Sequence, residues 1–144
     1  MSTSNAQVQP YLFFGGRCEE AIEFYRKALG AELVMLSRFN EAPEPQPGLP
    51  ECFADKVMHA SLRIGETIMM ASDGRCEGSQ NYDGFSLSIA VSDDAEAERV
   101  FAALGEGGLV TMPLAKTFWA SRFGMLQDKF GVGWMVSVMH KPQM

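Results

Sequence analysis

Apolar and polar residues alternate most cleanly between Lys56 and Ile64 (KVMHASLRI). Met58, Ala60, Leu62 and Ile64 fall on one side of a strand, and His59, Ser61 and Arg63 on the other. Gly65 then turns the chain into a second strand, Thr67–Ser72. Phe85 to Val91 repeats the alternation, with Phe85, Leu87, Ile89 and Val91 opposite Ser86, Ser88 and Ala90. Three more apolar runs, 8–14, 31–39 and 109–115, read as strands. The stretch from Thr117 to Val138 reads as two strands joined by a tight turn at Asp128-Lys129-Phe130-Gly131. There the aspartate can bond its own following backbone, and the glycine tolerates a positive φ. Its first limb, Phe118 to Phe123, mixes aromatic residues with one cation. Its second limb puts Trp134, Val136 and Val138 on one face and Gly133, Met135 and Ser137 on the other.

Two segments switch to the helical period. Glu19 to Leu29 places Ala21, Ile22, Tyr25, Ala28 and Leu29 on one stripe, with Glu19, Glu20 and Glu23 toward the N-terminal end and Gly30 just past the other. Ala95 to Leu104 follows a capping aspartate, Asp93 or Asp94, and Gly105 stops it. Both helices end on Ala-Leu-Gly, and each follows a strand and precedes three more. Runs of successive strands exclude a doubly wound parallel sheet. The pattern predicts an α+β chain of two βαβββ modules, about 8–72 and 85–139, in one domain over residues 1–144. They would form a strongly curved mixed sheet with its helices on the convex face and a cup on the other. Met58, Leu62, Ile64, Leu87, Ile89, Trp134 and Val136 are the expected core beneath the helices.

Composition narrows the function. A net charge of −6 over 144 residues argues against nucleic acid or an anionic membrane as partner, since both select a basic face. No apolar run reaches the roughly 18 residues of a membrane span, and MSTSNAQVQP lacks the features of a secretion signal. Cys18, Cys52 and Cys76 are odd in number and widely spaced, which fits reduced thiols in a cytoplasm. Asn40 to Ala54 carries Pro43, Pro45, Pro47 and Pro50 and reads as a long loop, either a solvated acidic connection or a binding loop. Gly15-Gly16 after the first strand reads as a turn, because no phosphate-loop pattern follows it.

PYLFFGG-RCEEAIEFYRKALGAEL, VMHASLRIGETIMMASD and TFWASRFGMLQDKFGVGWMV together resemble the PhnB-like branch of the vicinal oxygen chelate superfamily, over about Gln9 to Val138. That superfamily includes glyoxalase I, fosfomycin and bleomycin resistance proteins and extradiol dioxygenases. The resemblance implies paired βαβββ modules, a cup-shaped site and a homodimer. It also implies metal ligands on the first and last strands of each module. In this sequence those positions become Pro10, Met69 or Met70, Ser86 and Met135, within one residue. None is an imidazole or carboxylate, so no divalent metal and no other cofactor is expected.

Three functions remain to be weighed. The first is a small-molecule-binding protein whose cup is lined by Met69, Ser86, Ser88, Met135 and Trp119. The second is an enzyme, metal-independent or metal-dependent, of lyase, dioxygenase or resistance type. There His59 would serve as acid or base, with Ser61 beside it and Arg63 or Arg122 holding an anionic substrate. His59 and Arg63 lie four residues apart on one strand face, roughly 13 Å along it. The third is a methyltransferase, a label often attached to this branch. A Rossmann-type methyltransferase needs a glycine-rich turn from strand to helix, and Gly105-Glu106-Gly107-Gly108 follows a helix instead.

Overall fold

The computed structural model of the chain describes residues 6–41, 54–74 and 81–139. Strand, helix and three further strands occur twice in succession, as the pattern predicts. The chain divides into two compact units, residues 1–26 with 30–79, and residues 27–29 with 80–144.

In the first unit the elements are β1 (Tyr11–Phe13), α1 (Cys18–Leu29), β2 (Glu32–Arg38), β3 (Val57–Ile64) and β4 (Thr67–Ser72). Their sheet has the order β1-β4-β3-β2, with β1 parallel to β4 and the other pairs antiparallel. The two-residue turn at Gly65-Glu66 pairs Ile64 with Thr67 and therefore Leu62 with Met69 and Ala60 with Ala71. Leu12, Phe14, Ala60, Leu62, Met69 and Ala71 are all buried, as are Ala21, Ile22, Tyr25 and Ala28 of α1. The Phe14 and Tyr25 rings meet at 6.3 Å between centroids, which places α1 on this face.

The start of α1 shows how the N–H groups beside the Gly15-Gly16 turn are satisfied within the fold. Arg17 stands at the cap position and offers no side-chain cap. Asp73, buried after β4, does the work from 55 residues away: its Oδ1 accepts the Cys18 and Gly16 N–H groups, each at 2.8 Å. Its Oδ2 accepts the Val57 N–H at 2.8 Å. A carboxylate at a helix N-terminus is favoured by the helix dipole and meets donors that otherwise go unpaired. At the other end Gly30, at φ 66°, returns its N–H to the Arg26 carbonyl at 3.0 Å.

The second unit holds β5 (Leu87–Ala90), α2 (Asp94–Gly105), β6 (Leu109–Ala115), β7 (Ala120–Gln127) and β8 (Gly133–Met139), in the sheet order β5-β8-β7-β6. Asp93 is the α2 cap, accepting the Glu96 N–H at 2.8 Å. Gly105 is the last helical residue rather than the stop, and Glu106 caps the end. The β7–β8 turn follows the expected chemistry. Asp128 Oδ1 accepts the N–H groups of Phe130 (2.9 Å) and Val132 (3.1 Å), and Oδ2 accepts the Trp134 indole N–H at 2.9 Å. Trp134, Val136 and Val138 are buried together with Leu126 and with Ala97, Val100 and Leu104 of α2. At Gly124 an added Cβ would lie 2.7 Å from the Phe101 ring of α2 and 3.0 Å from Leu114 Cα, so only glycine fits.

Several boundaries differ from those the pattern predicts. β1 and β5 are shorter than the runs 8–14 and 85–91, and β7 begins at Ala120 and runs on to Gln127. Phe118 and Trp119 lie outside the strand, where Thr117 Oγ1 accepts the N–H groups of Trp119 (3.3 Å) and Ala120 (3.0 Å). Of the expected core, Leu62, Trp134 and Val136 are buried; Met58, Ile64, Leu87 and Ile89 are half-buried. Most of the Pro-rich loop, together with Cys52 and Cys76, lies outside the described residues. No helix among the described residues is long and apolar enough to cross a membrane.

Candidate functional site

The face of the first sheet opposite α1 carries a cluster of polar and aromatic side chains. The register sets Tyr11 beside Met70 and Phe13 beside Ser72, with Ser61 across from Met70 on the next strand. His59 therefore stands two residues from Ser61 on the same side. The Tyr11 hydroxyl lies 3.0 Å from His59 Nδ1, and Ser61 Oγ lies 3.4 Å from His59 Nε2. Both ring nitrogens thus have partners. A neutral imidazole is a donor at one nitrogen and an acceptor at the other, so the chain Tyr11–His59–Ser61 can run in either direction. The Tyr11 ring stacks on Phe13 at 5.1 Å and 27°, and tilts against His59 at 5.5 Å. Partial burial pushes the Tyr11 phenol above its ordinary value, the Cys18 side chain adds to this, and a hydrogen bond with Ser72 opposes it. Tyr11 is therefore a protonated phenol near neutral pH.

Arg63 shares this face and is paired with an acidic neighbour. Its guanidinium reaches Glu32 of β2 at 3.1 Å. Arg38, the other cation in the four strands, is held by Glu19 of α1 at 3.0 and 2.9 Å. That bond holds the Glu19 carboxyl below the usual range and the Arg38 guanidinium above it.

Two further residues change sides. Met69 pairs with Leu62 and is buried with it toward α1, so the methionine facing the Tyr11–His59 cluster is Met70. Arg122 pairs with Val138 on the side of β7 that also holds Leu126. It reaches Asp94 at 3.4 Å and Glu98 at 3.9 Å, both on α2, and Ser121 Oγ donates to the same Asp94 at 2.7 Å. Arg122 ties the second sheet to its helix.

On the second sheet, Ser88 pairs with Met135 on the face away from α2, and Met125 lies beside Met135. Trp119 meets Phe123 edge-on at 5.5 Å and is 43% exposed. Ser86 precedes β5 and is exposed; its hydroxyl occupies the space that a side chain at Gly133 would need.

Residues 6–137 match the family described as 3-demethylubiquinone-9 3-methyltransferase. The chain belongs to that family, and it shares the fold of a glyoxalase/bleomycin resistance/dioxygenase domain from Frankia. Protein YjdN of Escherichia coli strain K12 is 38% identical over 139 residues, covering 92% of this chain and 95% of its own. The crystal structure of protein PA1353 from Pseudomonas aeruginosa is 44% identical with a TM-score of 0.82, over 95% of this chain and 100% of that one. A PhnB protein from Bacillus cereus is 28% identical with a TM-score of 0.73, over 92% and 99% of the two chains.

The superfamily's metal positions can now be tested on this PhnB-like chain. Pro10 contributes only its carbonyl, which accepts the Met70 N–H at 2.9 Å. Met70 and Met135 carry thioethers, and Ser86 and Ser88 carry neutral hydroxyls. Soft thioethers and neutral hydroxyls do not fit Zn²⁺, Ni²⁺ or Fe²⁺, which select imidazole, carboxylate or thiolate. Among the described residues no group of three His, Cys, Asp or Glu side chains is gathered for a metal. The sequence pattern singled out His59 and Ser61 as candidates and did not name Tyr11 and Phe13, which lie with them on this face. Their outward parity was readable in the short strand, but their place beside His59 came only from the pairing of β1 with β4.

Proposed function

We propose that this PhnB-like protein binds a small molecule on the face of the first sheet around His59, without the superfamily's divalent metal. The observation that supports it is the chain Tyr11–His59–Ser61, with bonds of 3.0 and 3.4 Å. Polar side chains linked to one another across three strand positions cost order to assemble, and they add no apolar burial to the core. Within the second unit by itself, Ser88, Met135 and Trp119 are proposed as separate ligand-contact candidates, with thioether and indole surfaces that adapt to a ligand. Methyl transfer has less support. The one glycine pair between a strand and a helix has the Gly16 and Cys18 N–H groups closed by Asp73. The protein is further proposed to act in the cytoplasm as a homodimer, which would cover exposed sheet edges.

A second reading is a metal-independent enzyme with His59 as acid or base. It gains from the Tyr11 hydroxyl, which orients the ring as a general base requires.

The test is native mass spectrometry of untagged protein, with elemental analysis of the same sample. A co-purifying small molecule lost in His59→Ala, with the fold intact by circular dichroism, is expected. About one equivalent of a first-row metal, lost in the same variant, would overturn the metal-free reading. Retention of the molecule by His59→Ala would overturn the site.

A further inference from the structure

We propose that the ligand of the His59 face is an uncharged, planar molecule that stacks on the Tyr11–Phe13 rings and presents a hydroxyl or carbonyl to the Tyr11–His59–Ser61 chain. This rests on the binding reading above and adds the chemical class.

Charge sets the first constraint. The four strands of the first sheet carry two cations, Arg38 and Arg63. Glu19 neutralises the first at 2.9 Å and Glu32 the second at 3.1 Å. Removing a carboxylate or phosphate from water without an unpaired cation to receive it is costly. An anion would have to share the Arg63 guanidinium with Glu32. A cationic ligand would in turn have to compete with Arg63 for Glu32. The face as built favours neither.

Its shape and polarity come from the other residues. Tyr11 and Phe13 are 41% and 47% exposed, and their rings lie within 27° of parallel at 5.1 Å. Two aromatic rings stacked on one strand face leave an outer ring face on which a planar molecule can extend the stack. At its edge stands the hydrogen-bond chain Tyr11–His59–Ser61. If Tyr11 donates to His59, the Nε2–H donates to Ser61, whose own O–H is left for a ligand carbonyl. If Ser61 donates to His59, the Nδ1–H donates to Tyr11, and the phenol O–H is shared between Ser72 and the ligand. Either end also accepts a bond from a ligand hydroxyl. Such a chain accommodates a group that donates, accepts or does both.

Calorimetric titration of the full chain with three probes of one size tests this: 2-naphthol, 2-naphthoate and decahydro-2-naphthol. The expected result is that 2-naphthol binds about tenfold more tightly than either of the others, a difference on the scale of one hydrogen bond or one ring stack. Phe13→Leu should erase the preference over the saturated alcohol. Tyr11→Phe should weaken 2-naphthol several-fold while keeping that preference. Equal or tighter binding of 2-naphthoate, or of the saturated alcohol, overturns the proposal, and so does no binding of 2-naphthol at millimolar concentration. If a probe binds and His59→Ala leaves its affinity unchanged, the site itself is wrong. Binding that depends on His59 yet favours the carboxylate removes the ligand class alone.

Discussion

The two units are built to one plan and carry different chemistry. Each arranges its strands so that the first lies beside the fourth, and each uses one buried aspartate to organise a loop. Asp73 gathers three backbone N–H groups from two segments far apart in sequence. Asp128 gathers two from its own turn and one indole. Toward the helices both sheets are apolar. On the opposite face they diverge: the first presents Tyr11, His59, Ser61 and Met70, the second Ser88, Phe123, Met125 and Met135. The period-2 pattern of a strand lets one side keep its packing while the other varies in chemistry. Function in this family must therefore be sought on the side that does not hold the fold together.

The two units should differ most at their buried aspartates. Asp73→Ala strands three backbone donors, two of them buried, and should cost about 3–5 kcal/mol, against about 2–3 kcal/mol for Asp128→Ala, whose partners lie nearer one another in the chain. Chemical denaturation of both variants measures it, and a larger loss at Asp128 would mean that local turn order matters more than the long-range tie. Leu62→Ala, in the first unit's core, should cost about 2–5 kcal/mol. A loss under half a kcal/mol would show that the apolar side of β3 faces away from the helix.

Gly124→Ala probes the second unit alone. The new methyl must displace Phe101 or the β6 backbone, so a loss of about 1–3 kcal/mol is expected from overpacking. A stabilised variant would mean that α2 sits farther from β7 than the 2.7 Å approach implies.

The smallest effect separates the units by pH. Burial pushes the Cys18 thiol up, with the Asp73 and Glu19 carboxylates adding to the shift, so the folded chain keeps its proton. Above about pH 8.5 the unfolded chain loses that proton while the folded one does not. Fewer protons in the unfolded state make stability fall as pH rises, by up to about 1.4 kcal/mol per pH unit from this one group. Denaturation midpoints at pH 7.5 and 9.5 should show a steeper fall in the parent than in Cys18→Ala. Equal slopes would place the thiol in contact with water.

Much of this fold is legible in the amino-acid pattern. The alternation in β3 names the buried Leu62 and the outward His59 and Ser61, and the Asp128 turn behaves as its residues require. The two-residue turn at Gly65-Glu66 carries a further constraint that periodicity alone passes over. It fixes Leu62 opposite Met69, which places that methionine in the core. Arg122 is misplaced by the pattern for a related reason. With β7 drawn from Phe118 to Phe123, its parity is not compared with Leu126, four residues on and buried.

The sequence alone determined the apolar face of β3, where the first helix stops, and that each helix is followed by three strands. These follow from local periods and turn residues, whose physics acts over a few positions. The tertiary structure decided which strands lie side by side. The parallel pairing of β1 with β4 brings Tyr11 to His59, 48 residues away. The fold of the loops brings Asp73 to the start of α1, and strand pairing sets Glu32 against Arg63. Contacts between distant segments depend on register and on the loops that close them, and no local period encodes either.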